Sequence, residues 1–274
     1  MQAPNARTKS MRKYAWLLSV WFAATVLGAG VGLLPGVAEG RPSRPRFEPT
    51  DLGLQEPGTA QLDVQIGSTY GEGDQGNRVM LPDVELNVGL LPNLELDLDA
   101  SFFFTNVTHA TRQFIGDALW TSVKIGLVDV AGPTKVWALG VQLGPRFPTV
   151  GNFRGLGYEA LLLWGVQASP VRLILNGGGL IDPGDGVSYG RPVSILTGAY
   201  LDWTLDHREA WSLRGGAAGV FYVSSDPHKL DGTLGIAWSM TKHLEVSATV
   251  LGGVLPGNDR AAIFLGCAPS IDLW

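Results

Sequence analysis

The sequence is poor in cysteine, in charge and in long apolar runs. Its one cysteine is Cys267, so an intramolecular disulfide is excluded and a cysteine-based metal site lacks its ligands. Charged residues make up 16%, against roughly 25% in soluble domains. A helical membrane protein would carry several apolar runs of about 20 residues. Only one such run is present, at the N-terminus. The net charge of −5 offers no basic field, so nucleic acid is not an expected partner. What the chain does have is glycine, 37 of 274 residues, roughly twice average usage. Hydrophobic content is 45% and mean hydropathy +0.14. Low charge, abundant glycine and diluted hydrophobicity fit a transmembrane β-barrel, in which only alternate residues face lipid.

The N-terminus has the three parts of a secretory signal peptide. Arg7, Lys9, Arg12 and Lys13 precede the apolar segment YAWLLSVWFAATVLGAGVGLL, residues 14–34, and Gly36 and Ala38 suit a cut before Glu39. Residues 1–38 are therefore expected to be removed on Sec-type export. No cysteine lies near the cut, which excludes a lipoprotein anchor. Residues 39–58, EGRPSRPRFEPTDLGLQEPG, are rich in Pro and charge and read as a periplasmic linker. A segment tucked into a barrel mouth is the alternative.

Residues 59–274 read as strand after strand. The clearest case is 94–105, where Leu94, Leu96, Leu98, Ala100, Phe102 and Phe104 alternate with Glu95, Asp97, Asp99, Ser101 and Thr105. Helical periodicity would bring some of those acids onto the apolar face, so a strand is required. Leu62, Val64 and Ile66, then Val123, Ile125 and Leu127, and later Leu244, Val246, Ala248 and Val250, form similar rows. Residues 158–167 and 211–223 alternate less cleanly. Strands are predicted near 59–69, 78–89, 93–105, 116–129, 134–145, 155–168, 170–181, 191–205, 211–223, 229–240, 243–255 and 260–273. Short connections alternate with longer ones, as periplasmic turns alternate with external loops. An even strand count returns both chain ends to the periplasm. Trp120, Trp137, Tyr158, Trp164, Tyr200, Trp203, Trp211, Phe221, Tyr222 and Trp238 fall toward strand ends, where aromatic girdles form. The expected class is an all-β, antiparallel, up-and-down barrel of about 12 strands in the cell outer membrane. Outer-membrane lipid and the barrel-assembly machinery are the expected partners.

Two segments resemble a known family. PDVELNVGLLPNLELDLDA, residues 82–100, and AWSMTKHLEVSATV, residues 237–250, share a strand, a short turn and then an apolar-acidic start. This resembles outer-membrane barrels associated with phenol and aromatic-compound degradation (the MetA-pathway type), described as transporters. The resemblance covers about a seventh of the chain. It implies a transporter-like barrel for a small solute, with aromatic or hydrophobic substrates suggested by it alone, and carries over no catalytic residue.

The C-terminus is less regular. Trp274 supplies the final aromatic typical of such barrels but falls out of step with the row Ile263, Leu265, Cys267, Ile271 and Leu273. Pro269 interrupts that strand, so it is expected to bulge or stop early.

The inward rows carry the chemistry. Asp63, Asp83, Glu85, Glu95, Asp97 and Asp99 fall on the first three strands, and Lys124, Arg172 and Arg214 on later ones. Glu159, Asp202, Asp231 and Glu245 are further acids. Glu85, Glu95, Asp97, Asp99, Lys124, Arg172 and Arg214 are the candidate lumen and selectivity residues, in a constriction favouring cations or polar solutes. The alternative is a barrel filled by paired side chains, acting structurally or through surface binding without an open pore. Glycines 177–179, 215, 216 and 219 leave room for neighbours or allow sharp coiling. No cofactor or metal is implied. A lipid-modifying enzyme would need a Ser and His near the lipid face, and no Gly-x-Ser-x-Gly elbow is present. The expectation is therefore a non-enzymatic channel.

Overall fold

The computed structural model describes residues 54–274 apart from 72–76, 107–112, 117–118, 132–135, 148–155, 182–192, 224–227 and 256–258. The expected signal peptide and the first part of the linker, residues 1–53, lie outside the described residues.

Alternating side chains drive the chain into strands that pair in sequence order. These are β1 (Thr59–Tyr70), β2 (Asn77–Leu91), β3 (Leu94–Asn106), β4 (Gln113–Gly116), β5 (Leu119–Ala131), β6 (Val136–Phe147), β7 (Gly157–Ala168), β8 (Val171–Ile181), β9 (Val193–Thr204), β10 (Trp211–Tyr222), β11 (Lys229–Thr241), β12 (Leu244–Gly253) and β13 (Ala261–Asp272). Each strand of the ring pairs antiparallel with its neighbours, β3 with β5 across the short β4, and β1 pairs with both β2 and β13, so the sheet closes on itself. Closure leaves no sheet edge in the ring, which a membrane demands because lipid offers the backbone no hydrogen bonds.

Twelve strands form the ring, as the sequence predicts. The thirteenth segment, β4, pairs only with the outer part of β3, Phe102–Thr105. Lower down, Leu94–Asp99 of β3 pairs with β5. The single strand expected over 116–129 is thus two pieces that share one neighbour at different heights.

Alternation then sorts the faces. On β7, Tyr158 and Leu162 are 53% and 52% exposed, whereas Leu163 is fully buried. Leu127, Leu143, Ile195, Leu201, Leu234, Val250 and Ile271 are among the large apolar residues exposed on the outside. Gln61, Asp97, Gln142, Asp202 and Arg214 are among the polar residues buried on the inside. That inversion suits a wall set in lipid: apolar area that water would penalise is matched to acyl chains, and many of the polar groups pair with one another within.

The aromatic residues divide. Trp137, Tyr158, Trp164 and Trp203 are exposed on the outer surface, and Trp211 stacks on Trp238 with centroids 5.2 Å apart. Trp120 and Tyr200 have the opposite parity and are buried inside, so these two are not girdle residues. Gly216 lies below the Tyr200 ring, which a Cβ there would approach to 3.2 Å.

β13 neither bulges nor stops early. It holds one register against β12 from Leu244↔Pro269 to Gly252↔Ala261. Against β1, the pairing passes over Leu62 and Asp63, opposite Pro269 and Ala268, and resumes unchanged at Val64↔Cys267. Ser270 still donates its N–H to the His243 carbonyl at 2.9 Å. Proline has no N–H to give, so the ladder to β1 loses a rung locally while the register survives.

Candidate functional site

The interior of the barrel is the candidate site. All seven candidate lumen residues have inward parity, and Glu95, Asp97, Asp99, Lys124 and Arg214 are buried.

On the β3–β6 wall, register does the positioning. Glu95 and Lys124 are direct cross-strand partners, and their side chains form an ion pair of 2.7 Å. Two residues along, Ser122 donates its hydroxyl to Asp97 at 3.2 Å. Gln142 on β6 donates its amide to Asp97 at 2.9 Å and to the Ser122 oxygen at 2.8 Å. On β1, the Gln61 amide reaches both oxygens of Asp63 at 3.1 Å, and Asn87 of β2 reaches the same carboxylate at 3.4 Å.

Other cations are held the same way. Arg214 of β10 donates two hydrogen bonds to Glu245 of β12, at 2.6 and 2.8 Å, in the fork geometry that suits guanidinium and carboxylate. Ser239 of β11 adds its hydroxyl to Glu245 at 3.3 Å. Arg172 on β8 meets Asp202, its cross-strand partner on β9, at 3.5 Å. Toward the loop end, Arg146 pairs with Glu159 at 2.8 Å and lies over the Trp120 ring, 5.7 Å from its centroid. At the loop rim Arg78 meets Asp259 at 2.5 Å.

Within the ring, each of these contacts runs along the wall, between residues of one strand or of strands that are neighbours or next neighbours. These contacts hold their charged side chains along the barrel lining. Acids also outnumber bases on the described lining: Asp63, Asp83, Glu85, Glu95, Asp97, Asp99, Glu159, Asp202 and Glu245 stand beside Lys124, Arg146, Arg172 and Arg214.

Two apolar patches interrupt the polar lining. Leu161 and Leu163 of β7 pack with Trp120 and Leu196, while Met80, Leu251, Ala262 and Phe264 form a second cluster. Ile174, Leu180 and Tyr200 extend the first patch along β8 and β9. The lining thus combines ion pairs with apolar patches.

Sequence reasoning missed Arg146, Gln142, Gln61 and Asn87. The last three sit in recognised strands at inward parity, a signal that could have found them. Arg146 lies just past the strand expected over 134–145, yet β6 runs to Phe147. Among the described residues, no group of three or more His, Cys, Asp or Glu is placed to hold a metal ion.

A closed ring with an apolar exterior and a polar, charged lining defines an outer-membrane β-barrel. An outer membrane channel from Pseudomonas putida F1 has a similar structure, with a TM-score of 0.61 at 10% identity over 82% of this chain and 100% of that one. The NanC porin aligns with a TM-score of 0.54 at 10% identity, over 76% of this chain and 98% of the porin. No family model and no curated protein matches the sequence. At such identity the likeness is one of fold.

Proposed function

We propose that this barrel is a passive channel for a small solute, with a narrow lumen that favours cationic or polar groups and tolerates an apolar body. The observation that carries the reading is the wall-hugging arrangement of the ion pairs. Here Glu95–Lys124, Arg172–Asp202 and Arg214–Glu245 each bind side chains back to the lining. Twelve strands make a ring between the filled eight-stranded barrels and the open sixteen-stranded porins.

The excess of acids supports a preference for cations, since a ring of carboxylates lowers the energy of a positive solute in a low-dielectric wall. Glu85, Glu95, Asp97, Asp99, Lys124, Arg172 and Arg214 are the proposed selectivity residues. The inward patch of Leu161, Leu163, Ile174 and Tyr200 supports a solute with an aromatic or hydrophobic part, as the family resemblance implies. The comparison structures are themselves a channel and a porin, which agrees with passage rather than chemistry, and we assign no catalytic role.

Single-channel conductance in a planar bilayer tests this. The wild-type protein is expected to give discrete steps with a preference for cations. Glu95→Gln/Asp97→Asn is expected to lower the cation-to-anion permeability ratio. A correctly folded, heat-modifiable barrel that never conducts would sink the reading.

A further inference from the structure

The chain just before β1 does not hang free of the barrel. Glu56–Thr59 is a reverse turn, closed by a 2.9 Å hydrogen bond from the Thr59 N–H to the Glu56 carbonyl. Pro57 and Gly58 occupy its centre, and Gly58 has φ +83°, the combination a type II turn requires. The turn sends residues 54–56 back across the inner surface at the end of the barrel that carries the short turns.

There the segment meets four inward positions on four different strands. The Gln55 backbone N–H donates to Glu95 Oε2 on β3, while Lys124 occupies the other oxygen. The Gln55 side-chain amide donates to Gln61 Oε1 on β1 at 2.9 Å. Gly89 on β2 lies directly beneath: a Cβ there would stand 2.2 Å from the Glu56 carbonyl oxygen and 2.5 Å from that of Gln55. No side chain fits in that gap. At Gly126 on β5 a Cβ would come within 3.1 Å of a Leu54 methyl. The Gly58 N–H adds a 2.9 Å bond to the Gly89 carbonyl.

We propose that the turn-end mouth of the barrel contains a peptide seat, formed by Gln61, Gly89, Glu95 and Gly126, which takes an extended segment and is filled in this chain by Leu54–Glu56. The ligand class follows from the contacts. Glu95 recognises a backbone N–H, Gln61 recognises a side-chain amide, and the two glycines admit a main chain lying flat against the wall. None of this needs a folded partner. Occupied, the seat narrows the mouth beside the Glu95–Lys124 pair. That consequence rests on the channel reading, whereas the seat itself does not.

The test uses a chain lacking residues 39–56 and a fluorescein-labelled peptide of residues 51–59, DLGLQEPGT. A tethered segment enjoys an effective concentration of about millimolar. The free peptide is therefore supplied over that range. It is expected to bind the shortened barrel saturably and to lose that binding on Gly89→Leu, which fills the gap. In bilayers the shortened chain is expected to conduct several-fold more than the intact one. Peptide added from the turn-end side is expected to restore the lower level, and from the loop side to do nothing. Peptide binding without any conductance supports the seat and overturns the channel. Conductance that is the same in both chains, with no peptide binding, overturns the seat and leaves the channel standing. Gly89→Leu in the intact chain guards against a misfolded deletion. Thermolysin cleavage before Leu54 is expected to accelerate several-fold in that variant, and an unchanged rate counts against the seat.

Discussion

Two stretches of the lining, six strands apart on the ring, share an exterior and differ inside. β1 and β2 turn Gln61, Asp63, Asp83, Glu85 and Asn87 inward; β8 and β9 turn Ile174, Leu180, Leu196 and Tyr200 inward. Both walls show lipid the same aliphatic and aromatic surface. The lipid face is constrained by the bilayer and can only be apolar. The inner face answers to whatever occupies the lumen, so its chemistry is the informative half of each strand. Even on β8 and β9 that face is mixed, since Arg172, Asp202 and Ser194 also point inward, so the apolar patch of Ile174, Leu196 and Tyr200 is a feature of the lumen and not of the bilayer.

Substitutions on the two walls should separate these roles. The largest effect is expected at the ionic wall. Lys124→Met leaves Glu95 buried without its cation, and breaking a buried pair in this way costs about 3–5 kcal/mol. The urea midpoint of the refolded barrel, read by heat-modifiable gel mobility, should drop accordingly. A shift no larger than that of a surface substitution would mean that Glu95 does not depend on Lys124 to balance its charge.

A smaller loss is expected on the apolar wall. Leu163→Ala opens a cavity beside Trp120 and Leu161 and should cost about 2–3 kcal/mol. It should leave the cation-to-anion permeability ratio where it was. If that ratio moved as far as in Glu95→Gln/Asp97→Asn, the division between a selective wall and a packing wall would collapse. The smallest effect belongs to the shared exterior. Trp238→Leu removes one of two stacked rings, a contribution of about 1 kcal/mol, with no change in selectivity.

The same contrast explains what could be read in the sequence. β3 was legible residue by residue because LELDLDASF puts acids on one face and leucines on the other. β7 was not, because ALLLWGV is apolar on both faces, so the signal of period two vanishes where the lumen itself is apolar. Ring size and the approximate strand bounds followed from alternation and turn residues. The break between β4 and β5 did not, since it depends on which part of β3 each piece can reach. The candidate lumen residues were identifiable by parity, but their partners were not. Glu95 finds Lys124 only because a hairpin register brings residues 29 apart in sequence into apposition. The segment before β1 was read as a linker from its composition. Its Pro57-Gly58 pair was the available clue that the chain reverses rather than runs on.

The closure of the ring also brings the two ends of the barrel domain together. Leu273 donates its N–H to the Gly58 carbonyl at 2.6 Å, and the Trp274 ring lies against Gly58. A few residues of linker would therefore join the end of the chain to its start without moving a strand. The order in which the hairpins are written along the gene is then nearly a matter of convention. A circularly permuted gene that begins at Val171, after the tight turn at Ser169–Pro170, should specify the same ring. Its yield of folded barrel would measure how far assembly depends on which strand is made last.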